Sequence, residues 1–115
     1  MSRKGWIGVD LDGTLAEYTD WVGPYHIGAP IPTMVNRVRQ WRSEGQLVKI
    51  FTARVSGNPD YVATVRHYIE EWCREHLGEA LEITNIKDYG MVELWDDRAV
   101  QVVPNTGMRA DGRLG

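Results

Sequence analysis

The stretch that decides the fold reads Trp6-Ile7-Gly8-Val9-Asp10-Leu11-Asp12-Gly13-Thr14-Leu15. Its bounded apolar run predicts a buried β-strand, and Gly13 lets the chain turn sharply as it leaves the sheet. Asp10 and Asp12 follow the strand one residue apart, and such a pair is costly to bury unless a positive charge lies between them. A divalent cation with oxygen ligands meets that need, and phosphate chemistry is its usual purpose. The alternative is an ordinary strand-to-turn junction with solvated aspartates.

The composition is that of one globular domain: 115 residues, 43% hydrophobic and 25% charged. The formal net charge of −3 gives no case for nucleic-acid binding by bulk attraction, although a local basic patch remains possible. The single cysteine, Cys73, excludes an internal disulfide, suits a reducing cytoplasm and is expected to be a packed, inert thiol. The basic residues 1–4 precede too short an apolar run for a signal peptide, and no segment is long enough to span a membrane.

Helical and strand patterns alternate along the rest of the chain. Two helices are predicted, over residues 33–44 with Thr33 as the cap, and from Asn58-Pro59 to Gly78. Four further strands are predicted, at residues 47–51, 81–84, 91–95 and 100–103. This order predicts a single Rossmann-like, three-layer α/β domain over residues 1–104 with a mostly parallel sheet, followed by a loosely packed tail over 105–115.

Residues 16–32 lack periodicity and are rich in glycine and proline. They predict a structured loop, because Tyr18, Trp21, Tyr25 and Ile27 are available to be buried there. The loop leaves the carboxyl end of the first strand, so it must pass near any site at that edge and could act as a flap. His26 within it is either a substrate contact or a surface histidine without a role.

Polar residues follow three of the predicted strands at the point where each strand ends. Asp10, Thr52 and Asp96 each come directly after an apolar run. Because the carboxyl ends of parallel strands meet at one edge of the sheet, where ligands bind in such folds, we expect these residues to lie together.

The residue types at this edge suit phosphoryl transfer. The carboxylate of Asp10 can attack phosphorus, and Asp12 can protonate the leaving oxygen and later deprotonate water. Thr52 offers a hydroxyl and neighbouring N–H groups to the phosphoryl group, although a hydroxyl that satisfies the strand end is the alternative. Lys87 could neutralise the phosphoryl charge, or it is a solvated surface lysine. A Mg²⁺ ion would be completed by two further carboxylates, Asp96 and Asp97.

These residues resemble the motifs of the haloacid dehalogenase superfamily of phosphohydrolases. The resemblance covers residues 5–103 and rests on Asp10-Leu11-Asp12-Gly13-Thr14-Leu15, Thr52, Lys87 and the pair Asp96-Asp97. It implies a Mg²⁺-dependent phosphatase with an aspartyl-phosphate intermediate. The implied roles are nucleophile for Asp10, general acid/base for Asp12, phosphate stabilisation for Thr52 and Lys87, and metal binding for Asp10, the backbone carbonyl of Asp12, Asp96 and Asp97.

Members of this superfamily usually carry a cap domain, and this chain has no room for one. An open site implies a bulky substrate, or a partner subunit that serves as the cap, and hence a possible homodimer. Residues 52–54 and 96–103 are similar to the corresponding stretches in phosphatase domains of polynucleotide kinases, which implies a nucleotide or a nucleic-acid end as substrate. Thr52, Ala53, Arg54 and Lys87 would then contact the substrate; for Arg54 the alternative is an ion pair with a carboxylate at the sheet edge. We expect Arg98 to have a structural role, paired near the acidic edge of the sheet.

One feature departs from the superfamily pattern. Only residues 85–90 separate the third and fourth predicted strands, whereas parallel crossovers normally need about a dozen residues. Either the third strand is misassigned or the crossover is a compressed turn, and the position of Lys87 depends on which of these holds.

Two other function classes remain open. A receiver-like regulatory module also combines paired acidic residues with threonine and lysine, but its phosphoacceptor lies in mid-chain, where this chain has Thr52. A catalytically idle phosphate-binding domain would keep the fold alone, yet every proposed catalytic position here holds a competent residue type.

Overall fold

The computed structural model describes residues 4–115, so residues 1–3 of the basic N-terminal stretch lie outside the description. The elements in order are β1 (Trp6–Val9), α1 (Pro32–Ser43), β2 (Leu47–Phe51), a 3₁₀ turn (Ala53–Val55), α2 (Pro59–Leu77), β3 (Glu82–Thr84) and β4 (Met91–Trp95). All strand pairs are parallel, in the order β3-β2-β1-β4. The predicted Rossmann-like α/β domain is therefore confirmed. None of the helices between residues 4 and 115 is long and apolar enough to cross a membrane.

The central strand β1 sets the position of the site. Val9 lies opposite Ile50 of β2 on one side and Trp95 of β4 on the other. The amide of Asp10 continues the ladder by donating to the carbonyl of Trp95 at 2.9 Å. The residues that follow β1, β2 and β4 therefore leave the sheet side by side at one edge.

Both helices contribute to one hydrophobic core on a single face of the sheet. Alternate strand residues such as Ile7, Val9 and Ile50 point to this face and pack in one cluster with helix residues such as Val38 and Ile69. Three tryptophans are also buried in the domain or packed against this core. Trp6 and Trp72 are buried, and the partly buried Trp41 packs against the core.

The second face of the sheet carries no helix within residues 4–115; residues 85–90 lead from β3 to β4 instead. The prediction of a third layer is therefore wrong for the part of the chain that the structure describes, because this crossover is too short to form a helix. This segment is tied down where the indole N–H of Trp6 donates to Asp88 at 2.9 Å. That bond and one from the Gly90 amide hold the pKa of Asp88 below its usual value. The third predicted strand is therefore confirmed as β3, and the connection from β3 to β4 is the compressed turn that was one of the two alternatives.

The helix ends follow the local sequence, with one correction. Asn58 caps α2 by accepting from the amide of Tyr61 at 2.9 Å, and Gly78 ends it in the left-handed conformation. Helix α1, however, begins at Pro32, and its N-cap residue Ile31 makes no side-chain cap. The prediction of Thr33 as the cap was wrong, because proline is well suited to the first helical position and places Thr33 inside the first turn.

The predicted fifth strand at residues 100–103 does not join the sheet. The chain instead turns back on itself at Pro104, where Val103 donates to the carbonyl of Met108 and Ala110 donates to that of Gln101, both at 2.8 Å. Residues 101–103 therefore find their hydrogen-bond partners locally. The predicted boundary at residue 104 falls within this small hairpin.

The loop over residues 16–32 is structured, as predicted, but its aromatic side chains are not buried. Its base is closed by hydrogen bonds from Glu17 to Ala29 and from Ile31 to Leu15, both at 2.8 Å. Tyr18, Trp21 and Tyr25 are exposed, and of the four residues expected to be buried only Ile27 packs on the core. The loop is anchored mainly through its backbone, so the rings remain at the surface.

A glycine at the base of this loop gives a stability test. A Cβ at Gly28 would lie 2.0 Å from the carbonyl oxygen of Glu17, so Gly28→Ala must push the two strands of the loop apart. We expect a loss of roughly 2 kcal/mol or more in the free energy of unfolding, measured by urea denaturation. In the control Gly45→Ala the new Cβ meets nothing within 4 Å, and only the positive φ of 83° costs free energy, about 1 kcal/mol. If Gly28→Ala is as stable as the wild type, the loop base is not closed in this way.

Candidate active site

Three carboxylates converge where β1 and β4 end. Oxygen atoms of Asp10, Asp96 and Asp97 all lie within 4.8 Å of one another. Asp10 follows β1, and the acidic pair follows the neighbouring β4. The backbone amide of Arg98 donates to Asp96 at 2.7 Å, which fixes the turn after β4. The structure therefore brings together acidic residues that are far apart in the sequence.

Gly13 gives one of these carboxylates its place. Its φ is 87°, and a Cβ there would lie 2.5 Å from an oxygen of Asp97. Glycine is thus required both by the backbone conformation and by the close approach of Asp97. The glycine of the first motif therefore shapes the acidic cluster as well as the turn.

The carboxylates of the cluster disfavour one another's charged forms. Burial raises the pKa of Asp10 to about 7, and a hydrogen bond with Asp97 together with the charges of Asp96, Asp97 and Asp12 adds to the rise. A bound cation would relieve that repulsion. Carboxylates in this number and spacing are oxygen donors that Mg²⁺ accepts, so the residues fit the metal that the sequence predicts.

Asp12 lies apart from this cluster because its side chain is held by an arginine. Arg54 donates to both carboxylate oxygens, from Nε at 2.7 Å and from Nη2 at 2.8 Å. The predicted pairing of Arg54 with a carboxylate is thus realised, and the side chain of Asp12 is not one of the three grouped ligands. Its place in the metal shell would be through its backbone carbonyl, as the resemblance implies.

Arg54 joins three parts of the site. Besides Asp12, its Nη2 donates to the carbonyl of His26 in the loop at 3.0 Å, and its guanidinium lies 4.9 Å from the ring centre of Trp21. The residue is buried, and its Nη1 has no hydrogen-bond partner among the described residues. The side chain of His26 itself is exposed, and its backbone makes this contact.

Thr52 is buried at the end of β2 and caps the turn that follows. Its hydroxyl oxygen accepts from the amide of Arg54 at 3.1 Å, which is the strand-end role considered as the alternative. A hydroxyl that accepts one bond can still donate, so its proton can serve a bound phosphoryl group. The two roles are therefore compatible.

These residues surround one cavity of about 450 Å³. It is lined by Asp10, Asp12, Tyr18, Trp21, Phe51, Thr52, Ala53, Arg54, Ser56, Tyr61, Asp96, Asp97 and Arg98. Lys87 is the one predicted site residue that does not line it. Lys87 is exposed on the short segment 85–90, and no helix is present there to carry it to the site.

Sequence reasoning missed the aromatic part of the lining. Tyr18 and Trp21 were expected to be buried in the loop, and Phe51 and Tyr61 were counted as parts of a strand and a helix. Position offered a signal for three of the four residues, since Phe51 ends β2 and Tyr18 and Trp21 lie in the loop that leaves β1, whereas Tyr61 lies in α2. By contrast, Cys73 is fully buried as predicted, and burial raises the pKa of its thiol to about 11.

Comparison with known proteins supports the fold. No family model and no curated protein sequence matches this chain. A solved structure of a conserved protein coded by a locus from Bacteroides thetaiotaomicron is similar, with a TM-score of 0.61 and 24% sequence identity. The match covers 90% of this chain and 84% of that one. At this identity the similarity shows a shared architecture.

The raised pKa of Asp10 predicts a pH-dependent stability. Between the unfolded value of 3.8 and about 7 the folded state binds more protons, so the metal-free protein loses stability as pH rises through this range. Replacing Asp10 with asparagine removes the charge. In EDTA at pH 8 we expect Asp10→Asn to be more stable than the wild type by about 1–2 kcal/mol, a figure reduced for solvent screening, and near-equal stability at pH 4. Urea denaturation across pH measures this difference.

The control for this prediction has a pKa shifted in the opposite direction. Arg109 lowers the pKa of Asp111, so that carboxylate stabilises the fold above its unfolded pKa, and Asp111→Asn should not stabilise the protein at pH 8. An Asp10→Asn protein that is less stable than the wild type at pH 8 without metal would refute the electrostatic account of the cluster.

Proposed function

We propose that this chain is a Mg²⁺-dependent phosphomonoester hydrolase that acts through an aspartyl-phosphate intermediate. The observation that carries the proposal is the grouping of Asp10, Asp96 and Asp97 within 4.8 Å at the rim of a cavity. Around the same cavity lie a second carboxylate system, Asp12 with Arg54, and a buried hydroxyl, Thr52. This set would supply a nucleophile, a general acid/base and a hydrogen-bond donor to the phosphoryl group.

Asp10, Asp96 and Asp97 would hold the metal. When bound, Mg²⁺ neutralises the clustered carboxylates and the charge on the phosphoryl oxygens. Without it Asp10 retains a proton near neutral pH, because burial raises its pKa to about 7, and a protonated carboxyl is a poor nucleophile.

In the proposed first step a carboxylate oxygen of Asp10 attacks phosphorus while the bond to the leaving oxygen breaks. This forms an aspartyl-phosphate, and water then displaces the aspartate and releases inorganic phosphate. The hydroxyl of Thr52 donates a hydrogen bond to a phosphoryl oxygen during both steps. Asp12 would enter the first step protonated and give that proton to the leaving oxygen; as the resulting carboxylate it would take a proton from the attacking water, which restores the acid for the next cycle.

Arg54 acts as the positioning residue for Asp12. Its two parallel bonds to the carboxylate fix the orientation of Asp12, and a guanidinium is suited to this geometry. Positive charge at the cavity would come from Arg54 and Arg98, which line it. The catalytic role of Lys87 stays a prediction, and Lys87→Ala is the variant that tests it.

The proposal extends to substrate and partners. A cavity without a covering domain suits a nucleotide or a phosphorylated nucleic-acid end, and a second copy of the chain is the proposed partner at the open side. We place the protein in the cytoplasm, on the basis of its single, buried cysteine.

The nucleophile and the metal are tested together. Hydrolysis of p-nitrophenyl phosphate should require Mg²⁺ and stop in EDTA, and Asp10→Asn should lower kcat by about a thousandfold or more, since it removes the attacking group. Acid-quenched wild-type enzyme should carry one phosphoryl group on Asp10 by mass spectrometry. The controls are the circular dichroism spectrum of the variant, which should be unchanged, and Asp111→Asn, which should retain activity.

Two results would contradict the proposal. Undiminished turnover by Asp10→Asn would remove the nucleophile assignment. A folded wild type that hydrolyses no phosphomonoester with Mg²⁺ would instead favour the idle or receiver-like module.

The acid role of Asp12 has a separate signature. A poor leaving group needs protonation, whereas p-nitrophenolate departs without it, so Asp12→Asn should slow an alkyl phosphate by about tenfold or more beyond its effect on p-nitrophenyl phosphate. Arg54→Lys should show the same pattern in weaker form, because lysine cannot make the two-pronged contact. Equal losses on both substrates would assign Asp12 to structure or metal binding instead.

A further inference from the structure

The lining of the cavity combines two kinds of side chain. Besides the acidic cluster it contains four aromatic side chains from three separate segments, which we call the aromatic wall: Tyr18 and Trp21 from the loop, Phe51 from the end of β2, and Tyr61 from the start of α2. Phosphate chemistry alone has no use for this wall. Its exposed fractions are also high, at 39% for Tyr18, 47% for Trp21 and 38% for Tyr61.

Large aromatic rings left open to solvent beside a reactive centre forgo free energy that burial would provide. In this chain the other tryptophans pack: Trp6 and Trp72 are buried, and the tilted rings of Trp41 and Trp95 contact each other with their centres 5.2 Å apart. Trp21 therefore differs from every other tryptophan of the chain in being exposed at a cavity.

Trp21 is held in place through contacts that do not bury it. The guanidinium of Arg54 lies 4.9 Å from its ring centre, and Arg54 is itself fixed by Asp12 and by the carbonyl of His26. The loop is pinned again where the indole of Trp72 donates to the carbonyl of Gly28 at 3.0 Å. A ring that is oriented in advance loses little entropy when a second ring stacks on it.

We propose that the aromatic wall binds a planar aromatic ring carried by the substrate, and that Trp21 is its main specificity-determining residue. This rests on the proposed function. The substrate class is a small phosphomonoester whose leaving group contains an aromatic ring, either a nucleobase separated from the phosphate by a sugar or an aryl group bonded to the phosphate oxygen. A cavity of about 450 Å³ is within the range that such ligands occupy.

The chemistry of the wall also limits its selectivity. Stacking on an aromatic face tolerates any base, because every base has a π-face. Discrimination among bases needs fixed hydrogen-bonding groups, and the hydroxyl of Ser56, a polar residue of the lining, already donates to the carbonyl of Ala53. The wall thus selects for the presence of a ring and little for its identity.

The test compares three substrates that share a phosphate: thymidine 5′-monophosphate, p-nitrophenyl phosphate and ribose 5-phosphate, which lacks the ring. Trp21→Ala should lower kcat/KM on a ring-bearing substrate by about tenfold to a hundredfold, the usual contribution of one stacked base. It should leave ribose 5-phosphate within about twofold, and Trp21→Phe should restore most of the loss. Tyr25→Ala is the matched control, because this exposed loop tyrosine does not line the cavity.

The pattern of losses separates the two sources of the ring. A loss confined to the nucleotide identifies a nucleobase spaced from the phosphate, and a loss confined to p-nitrophenyl phosphate identifies an aryl leaving group; either supports the proposal. Equal loss on all three substrates, or no loss on any, overturns it.

A binding assay keeps this proposal distinct from the proposed function. Calorimetric titration of Asp10→Asn, with and without Trp21→Ala, compares thymidine 5′-monophosphate with ribose 5-phosphate in the absence of turnover. Ring-dependent binding that Trp21→Ala abolishes would support the aromatic wall even if no phosphatase activity were found. Equal affinity for both compounds, in a wild type that does hydrolyse phosphate esters, would reject the wall and leave the enzyme.

Discussion

Repulsion among carboxylates at the ends of two neighbouring strands is the constraint on which the site depends. Parallel pairing of β1 with β4 places Asp10 beside Asp96 and Asp97, so that three carboxylates lie within 4.8 Å of one another. The raised pKa of Asp10 expresses this cost. Natural proteins keep such arrangements where a cation or a proton is to be bound, because apolar residues would stabilise the same strand ends more cheaply.

Arg54 connects the residues at the ends of the strands to the loop over residues 16–32. The guanidinium of Arg54 donates to Asp12 and to the carbonyl of His26, and it lies against the ring of Trp21. The backbone amide of Arg54 donates to the hydroxyl of Thr52. A residue with so many partners cannot be moved without moving the acid/base candidate and the loop together. The conformation of residues 16–32 is therefore coupled to the chemistry through a single side chain.

The sequence allowed most of the fold to be predicted, since it depends on local signals. The apolar runs gave all four strands of the sheet, and the Asn58-Pro59 start and the Gly78 stop gave α2. The wrong predictions concern segments whose conformation depends on contacts with residues far along the chain or on competing local signals. Residues 100–103 have strand composition but pair within a hairpin, and the exposure of Trp21 depends on where the loop is anchored. The ion pair of Arg54 with a carboxylate was predicted only as one of two possibilities, because sequence spacing alone does not determine which anion an arginine contacts.

The short crossover has a consequence for the position of positive charge. Six residues, 85–90, are enough to pass from β3 to β4 but not to form a helix on the second face, so Lys87 is left exposed on an extended segment. A phosphoryl group at the cavity would nevertheless need a cation besides the metal. The arginines that line the cavity are Arg54 and Arg98, which follow β2 and β4. Without a helix on the second face, the positive charge at the cavity comes from residues at the strand ends, and Arg54 there also binds Asp12 and the loop. In this small domain the acidic cluster, the arginines and the buried Thr52 hydroxyl therefore all lie at one edge of the sheet.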